Sequence, residues 1–339
     1  VKTITAEEYF AGNYPSGTTL LDVRSPGEYT AGRLPGAQSL PLFSDAERAE
    51  VGTLYKQTSP DAALLKGLEI AGSKMRWLVE RARELAPDNK AVVHCWRGGQ
   101  RSGSVAWLLE RAGMDVTQLT GGYKGARTFI RHYLQHSDHN FQVLSGPTGS
   151  GKTQVLLAMA ELGAHVIDLE GIANHKGSSF GAIGEAPQPS SEQFENILFS
   201  ELRSIPPGST VYLEDESRMI GHVYMPDEFY GRLAAAPVTM LEQPKEWRVN
   251  RLVGIYGDAD PDLLAGAFTR IRKKLGGQHL NSALEAIEAG DLATAASIAL
   301  VYYDKAYHHY GERRKANVVR TIVAESADPL AVAQQLLMT

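Results

Sequence analysis

Residues 141–153 read Phe-Gln-Val-Leu-Ser-Gly-Pro-Thr-Gly-Ser-Gly-Lys-Thr, and this stretch restricts the fold more than any other. Phe141 to Ser145 has the pattern of a buried strand, and Gln154 to Leu162 continues as a helix. Between them Gly146-Pro147-Thr148-Gly149-Ser150-Gly151-Lys152-Thr153 matches the phosphate-loop (P-loop) pattern in full. A strand, a glycine loop and a helix in that order belong to an α/β layer, where the sheet aims the loop's N–H groups at one point. Backbone amides of Gly146, Thr148, Gly149, Ser150 and Gly151 would cradle a di- or triphosphate. Lys152 would neutralise it, and Thr153 would reach a magnesium ion.

The chain's one cysteine sets a second constraint. Cys95 follows Ala91-Val92-Val93-His94, a short buried-strand pattern, and precedes Ser102 to Arg111, a helix that Gly113 terminates. The loop between them places a thiol in a nest of amides and cations, which lowers its pKa. Cys95 and Arg101 form the candidate catalytic pair, with Trp96, Arg97, Gly98, Gly99 and Gln100 around a bound anion. His94 either tunes the thiolate or completes the strand. Five residues separate Cys95 from Arg101, the spacing of tyrosine phosphatases, whereas sulfurtransferases built on the same loop commonly have four. The loop alone leaves both chemistries open.

With 339 residues the chain is long enough for two domains, and 43% hydrophobic with 22% charged residues is ordinary for a globular protein. No apolar run reaches the length of a membrane span, and Val1 to Glu8 lacks the apolar core of a secretory signal. One cysteine excludes an intramolecular disulfide and a cysteine-rich zinc site, so a cytoplasmic setting is expected. A net charge of −5 argues against unspecific coating of nucleic acid. Local basic runs remain: Arg270, Arg272, Lys273 and Lys274, and then Arg313, Arg314 and Lys315. No repeat, low-complexity segment or convincing metal-ligand spacing is present.

Thr18 to Val23, Ala91 to His94 and Val116 to Leu119 read as strands, Asp61 to Leu85 as a helix, and 25–29 and 32–37 as turn-rich. The polar stretch His132 to His139 is expected to be a linker. Thr210 to Leu213 is a strand ending in Glu214-Asp215-Glu216, and Asp168 ends a similar strand from Ala164. Asp168, Glu214 and Glu216 are the candidate acidic site for magnesium, with Asp215 an alternative. The segment 283–309 reads as helical, broken at Gly290 and Asp291.

Asp22-Val23-Arg24 with Glu28-Tyr29, Gly32-Arg33-Leu34-Pro35-Gly36-Ala37, and Leu119-Thr120-Gly121-Gly122-Tyr123 resemble the segments flanking the active cysteine of rhodanese-homology domains. The expected fold is therefore α/β, a rhodanese-like doubly wound domain over 1–137 followed by a P-loop NTPase-like domain with a helical C-terminal part over 138–339. This order, with Glu47 to Lys56, Asn174 to Gly181, Glu214 to Gly221 and Lys273 to Gly277, resembles the bacterial tRNA 2-selenouridine synthase family over essentially the whole chain.

The resemblance implies two steps on the wobble 2-thiouridine of tRNA. Geranyl diphosphate alkylates the sulfur, then selenium from selenophosphate replaces the geranylthio group through an S-selanyl intermediate on Cys95. Arg101 and the loop amides would hold selenophosphate, Arg97 either that phosphate or the tRNA backbone, and the P-loop the diphosphate. No tightly bound cofactor is expected, with Mg2+ an optional companion of the diphosphate. Arg270, Arg272, Lys273 and Lys274 are the expected tRNA contacts, and Trp96, Tyr123, Trp247 and Tyr302 candidate stacking residues for a splayed base. An ATP-dependent kinase with an attached sulfurtransferase or phosphatase-like domain is the competing reading; it predicts ATP turnover without RNA.

Overall fold

The computed structural model describes residues 1–338, apart from the side chains of 308–313. Arg313 of the second basic run therefore lies outside the described residues. The chain divides into two compact units, residues 1–133 together with 195–197, and residues 134–194 together with 198 onward.

The first unit opens with β1 (Lys2–Ile4), α1 (Ala6–Phe10), β2 (Thr19–Asp22), α2 (Pro26–Ala31) and β3 (Gln38–Ser39). Then come α3 (Asp45–Gln57), α4 (Pro60–Leu85), β4 (Lys90–His94), α5 (Gln100–Arg111), β5 (Asp115–Leu119) and α6 (Gly122–His136). The strands form a parallel sheet in the order β1-β5-β4-β2-β3. Central β4 is apolar throughout its middle because it is covered on both faces, and Ala91, Val92 and Val93 are buried. The turn expected at 25–29 is in fact the start of α2. Ser25 and Glu28 close a capping box and Pro26 takes the first helical position, so local chemistry favours a helix. The two units divide between 133 and 134, inside the expected linker at 132–139, but most of that stretch is helical, since α6 runs to His136. Tyr123, Ala126, Ile130 and Leu134 recur at helical spacing and are fully buried, an apolar stripe hidden by the polar residues between them.

The second unit contains β6 (Asn140–Ser145), α7 (Lys152–Glu161), β7 (His165–Ile167), α8 (Leu169–Ile172), α9 (Ser191–Ser204) and β8 (Thr210–Glu214). A short antiparallel pair follows, β9 (Met219–Ile220) and β10 (Val223–Tyr224), and then α10 (Asp227–Ala235), β11 (Val238–Glu242) and α11 (Lys245–Tyr256). Helices α12 (Pro261–Arg270), α13 (Arg272–Leu275), α14 (Gly277–Glu288) and α15 (Leu292–Arg314) form the helical part. Strand β12 (Val318–Val323) and α16 (Pro329–Leu337) close the chain. Its main sheet is parallel, in the order β12-β11-β6-β8-β7. Helices α12, α14 and α15 bury a core of their own around Phe180, Leu264, Phe268, Ala283 and Ala299. No described helix is long and apolar enough to cross a membrane.

Candidate active sites

Cys95 leaves the end of β4 and is 3% exposed. Its Sγ lies 3.2 Å from Ser102 Oγ on the first turn of α5. Burial pushes the thiol's pKa up, but the Ser102 hydroxyl and N–H, the Arg97 N–H and the Arg101 charge outweigh it and hold the thiol below its ordinary value. The loop is locked from the far side by the turn after β5. Tyr123 N–H donates to the Cys95 carbonyl at 2.8 Å, Lys124 N–H to that of Trp96 at 2.9 Å, and the Gln118 amide to that of Gly98 at 2.7 Å. Gly98 has φ +65°, and a β-carbon there would lie 2.7 Å from the Leu119 carbonyl oxygen. Arg101 forks onto Glu28 at 2.7 and 3.3 Å, while Arg97 is exposed. Gly99 caps α5 without a side-chain hydrogen bond, and Gln100 is exposed beside it.

His94 does not face the sulfur. Its ring is fully buried, with Nε2 3.7 Å from Asp22 Oδ2, and burial holds its pKa down, so it stays neutral. Arg24, also fully buried, forks onto Asp22 and lies 3.7 Å over the Tyr123 ring. Tyr123 is thus a packing residue and not a base-stacking platform.

In the second unit the P-loop joins β6 to α7. Gly149 and Gly151 take φ of +80° and +75°, and the buried Ser150 hydroxyl has no partner among the described residues. Two arginines of α11 support the loop from behind: Arg248 Nε donates to the Thr148 carbonyl at 2.9 Å and Arg251 to that of Gly149 at 2.8 Å. Lys152 Nζ donates to the Gly146 carbonyl at 3.0 Å, and Thr153 Oγ1 to Glu170 Oε2 at 3.1 Å. The acidic candidates separate. Glu214 is fully buried, accepts from Leu169 N–H at 3.0 Å, and is raised well above the carboxylate range by burial and then by Asp168 and Glu170. Glu216 is raised likewise, by burial and then by Glu170. Asp168 caps α8, accepting from Gly171 N–H at 2.7 Å. Asp215 is excluded, because it is tied to Arg314 at 2.8 Å and to the Ser145 hydroxyl at 2.6 Å.

The P-loop and some of these acids line one end of a cavity of about 500 Å3. Thr148, Gly149, Gly151, Lys152, Thr153, Asp168, Glu170 and Glu216 make its polar end. Phe180, Tyr256, Leu264, Phe268, Ile287, Ala295, Ala299 and Tyr303 make its apolar wall. Among the described residues no group of three or more His, Cys, Asp or Glu can hold a metal unaided. Magnesium beside phosphates needs only one or two carboxylates, and the all-oxygen pair Thr153 and Glu170 has that chemistry.

Arg272, Lys273 and Lys274 are exposed together on α13, and Arg270, exposed at the end of α12, donates to the Ser179 carbonyl at 2.5 Å. Arg314 of the other basic run is 6% exposed and serves Asp215, so it is no phosphate contact. Trp247 packs on the core of α7 and α16, Tyr302 on the helical core, and Trp96 is half-buried against Tyr123 at 5.6 Å. Sequence reasoning missed Ser102 as the thiol's partner, Glu28 as Arg101's, Gln118 as a brace, and Glu170, Arg248 and Arg251. Of these, Ser102, Glu28 and Gln118 stand in segments that the sequence singles out.

Residues 7–128 match the rhodanese-like domain family, and residues 139–261 match the tRNA 2-selenouridine synthase AAA domain family. The chain is 34% identical to the tRNA 2-selenouridine synthase of Nitrosomonas europaea, over 88% of this chain and 91% of that protein. It is 34% identical to that of Shewanella sediminis over 90% of each chain, and 33% identical to that of Marinobacter nauticus over 88% and 90%. With a thiol loop in one unit, a P-loop in the other and relatives matched over nearly their whole length, the chain belongs to the tRNA 2-selenouridine synthase family.

Proposed function

We propose that this protein converts the wobble 2-thiouridine of tRNA to 2-selenouridine by geranylation in the second unit and selenium transfer at Cys95. The observation that carries the first step is the cavity whose polar end is a P-loop and whose other wall is apolar. A diphosphate bearing a hydrocarbon chain matches both ends. The thione sulfur attacks the allylic carbon, the carbon–oxygen bond breaks, diphosphate leaves and the base loses its N3 proton. Lys152 and the loop amides stabilise the charge that develops on the leaving diphosphate. Mg2+, held by Thr153 and Glu170, would supply further neutralisation. Arg270, Arg272, Lys273 and Lys274 would carry tRNA phosphates.

Alkylation makes the sulfur displaceable. The Cys95 thiolate takes selenium from selenophosphate, forming Sγ–Se and leaving the phosphorus with the bonding pair, as phosphite. The selanyl anion adds at C2 and expels geranyl thiolate, which takes a proton from solvent. A small thiol then attacks Sγ to release 2-selenouridine, and a second thiol regenerates Cys95 with formation of a disulfide.

The test is mass spectrometry of nucleosides from 2-thiouridine tRNA incubated with protein, geranyl diphosphate, selenophosphate and thiol. Wild type yields 2-selenouridine, Cys95→Ala accumulates S-geranyl-2-thiouridine, and Lys152→Ala loses geranylation by about 100-fold or more. Geranylation by Lys152→Ala at the wild-type rate removes the P-loop from the reaction. No modified uridine with wild type, and ATP turnover without RNA, would establish the kinase reading instead. Phosphorus NMR checks the S-selanyl step: orthophosphate in place of phosphite, with no thiol consumed, would mean that selenophosphate attacks C2 through its own selenium.

A further inference from the structure

A second cavity, of about 330 Å3, lies within the first unit between α3, α4 and the start of α5. Its floor is apolar: Leu42 and Phe43, which share a core cluster with Cys95, together with Val51; the half-exposed Leu68 forms part of its wall. Its rim is cationic, formed by Arg48, Lys56 and Arg101. Glu28 fixes two of these cations at the mouth, holding Arg48 at 3.6 Å and Arg101 at 2.7 Å. Arg101 belongs at once to this rim and to the first turn of the helix that follows the thiol loop, where its charge helps to hold the Cys95 thiol below its ordinary pKa. Gly52 of α3 and Gly67 of α4 both line it. Glycine weakens a helix interior, and neither residue has the positive φ that would require it. Larger side chains at these two positions would take up the space between the helices.

An apolar floor under a cationic rim suits an anion that carries a hydrocarbon chain. Resting on the two-step reading above, we propose that this cavity receives the geranyl chain of the alkylated wobble base while C2 is presented to Cys95. The ten-carbon chain leaves water for Leu42, Phe43, Val51 and Leu68, and the phosphates flanking the base meet Arg48 and Lys56. The released geranyl thiol keeps the same chain and leaves by the same mouth. The cavity thereby makes selenium transfer selective for a base that has already been geranylated.

The experiment uses the full chain with selenophosphate and thiol, and two preformed substrates, S-geranyl- and S-methyl-2-thiouridine tRNA. Wild type should convert the S-geranyl substrate with a kcat/KM at least tenfold higher. Gly67→Leu, which fills the space, and Leu68→Gln, a change on a half-exposed wall that leaves the core intact, should each abolish that preference. Conversion of the S-methyl substrate and geranylation from geranyl diphosphate should stay at wild-type rates. An unchanged preference in both variants overturns the proposal. Loss of geranylation rather than of the preference would make the occupant free geranyl diphosphate and overturn it equally. Wild type that converts neither alkylated tRNA would instead refute the two-step reading on which the proposal rests.

Discussion

A β-carbon added to Gly122 would lie 2.4 Å from the Cys95 carbonyl oxygen and 2.4 Å from Gly98 N; one added to Gly151 would meet the Arg251 guanidinium at 2.7 Å. The first neighbours are backbone and cannot give way, while the second is the end of a flexible side chain. Both loops join a parallel strand to a helix and both present amides, yet one is braced by main chain and the other by arginines. The difference follows from where the reacting atom resides. At Cys95 it belongs to the protein and must be held in place by the fold, whereas at the P-loop it arrives with the ligand, and the loop has only to hold its amides toward it.

Substitution at the two glycines breaks this comparison if it is wrong, and gives the largest effect expected. Gly122→Ala should cost about 3 kcal/mol or more, because a φ of +56° and two backbone clashes act together. Gly151→Ala should cost about 1–2 kcal/mol, the left-handed strain alone, once Arg251 swings aside. Urea unfolding of the two variants checks the order. Equal losses would mean that the arginines are as rigid as backbone.

The electrostatics differ as well. The thiol loop shifts its acid toward the charged form, and Ser102 lies 3.2 Å from the sulfur. Ser102→Ala removes a hydrogen bond to a charged group, a contribution of about 1.5–3 kcal/mol. The thiol's pKa should rise, and alkylation of Cys95 by iodoacetamide near neutral pH should slow about tenfold. The midpoint of the rate against pH moves upward in the variant. A midpoint that stays in place would assign the thiolate to Arg101 and the loop amides alone.

How much of this was legible depended on whether a residue's partner lay nearby in the chain. The P-loop, β4 and α5 follow from short patterns that are also local structures, so their places were readable in full. Ser102 stands seven residues from its thiol and reads in the sequence only as the start of a helix. Arg101 was assigned to an anion because its carboxylate partner, Glu28, lies 73 residues away. Arg314 looked like part of a surface run, yet it pairs with Asp215 at a separation of 99 residues. Charge in a sequence carries no record of burial, and burial decides whether an arginine serves a ligand or a neighbouring carboxylate. The extension of α6 was missed for the opposite reason: its four buried residues are spread over a stretch whose composition is polar.

The acids of the P-loop unit complete the contrast, since Glu214 and Glu216 are shifted toward their neutral form where Cys95 is shifted toward its charged form. Burial is the first cause in both carboxyls, and each faces a second carboxyl, Asp168 for Glu214 and Glu170 for Glu216, to which only a protonated acid can donate. An acid whose folded pKa exceeds its unfolded value keeps its proton in the native state, so the native chain binds more protons than the unfolded one. Stability is then greatest below the unfolded value and falls as pH rises toward the folded value, with a slope of about 1.4 kcal/mol per pH unit for each such carboxyl. Glu214→Gln keeps an acceptor for Leu169 N–H and a donor for Asp168 but removes the titration. Urea unfolding of the unliganded chain between pH 5 and 8 should therefore show a shallower decline in the variant, which gains on wild type as pH rises. Parallel curves would mean that Glu214 is ionised in the native protein, and that its cavity is wetter than its burial implies.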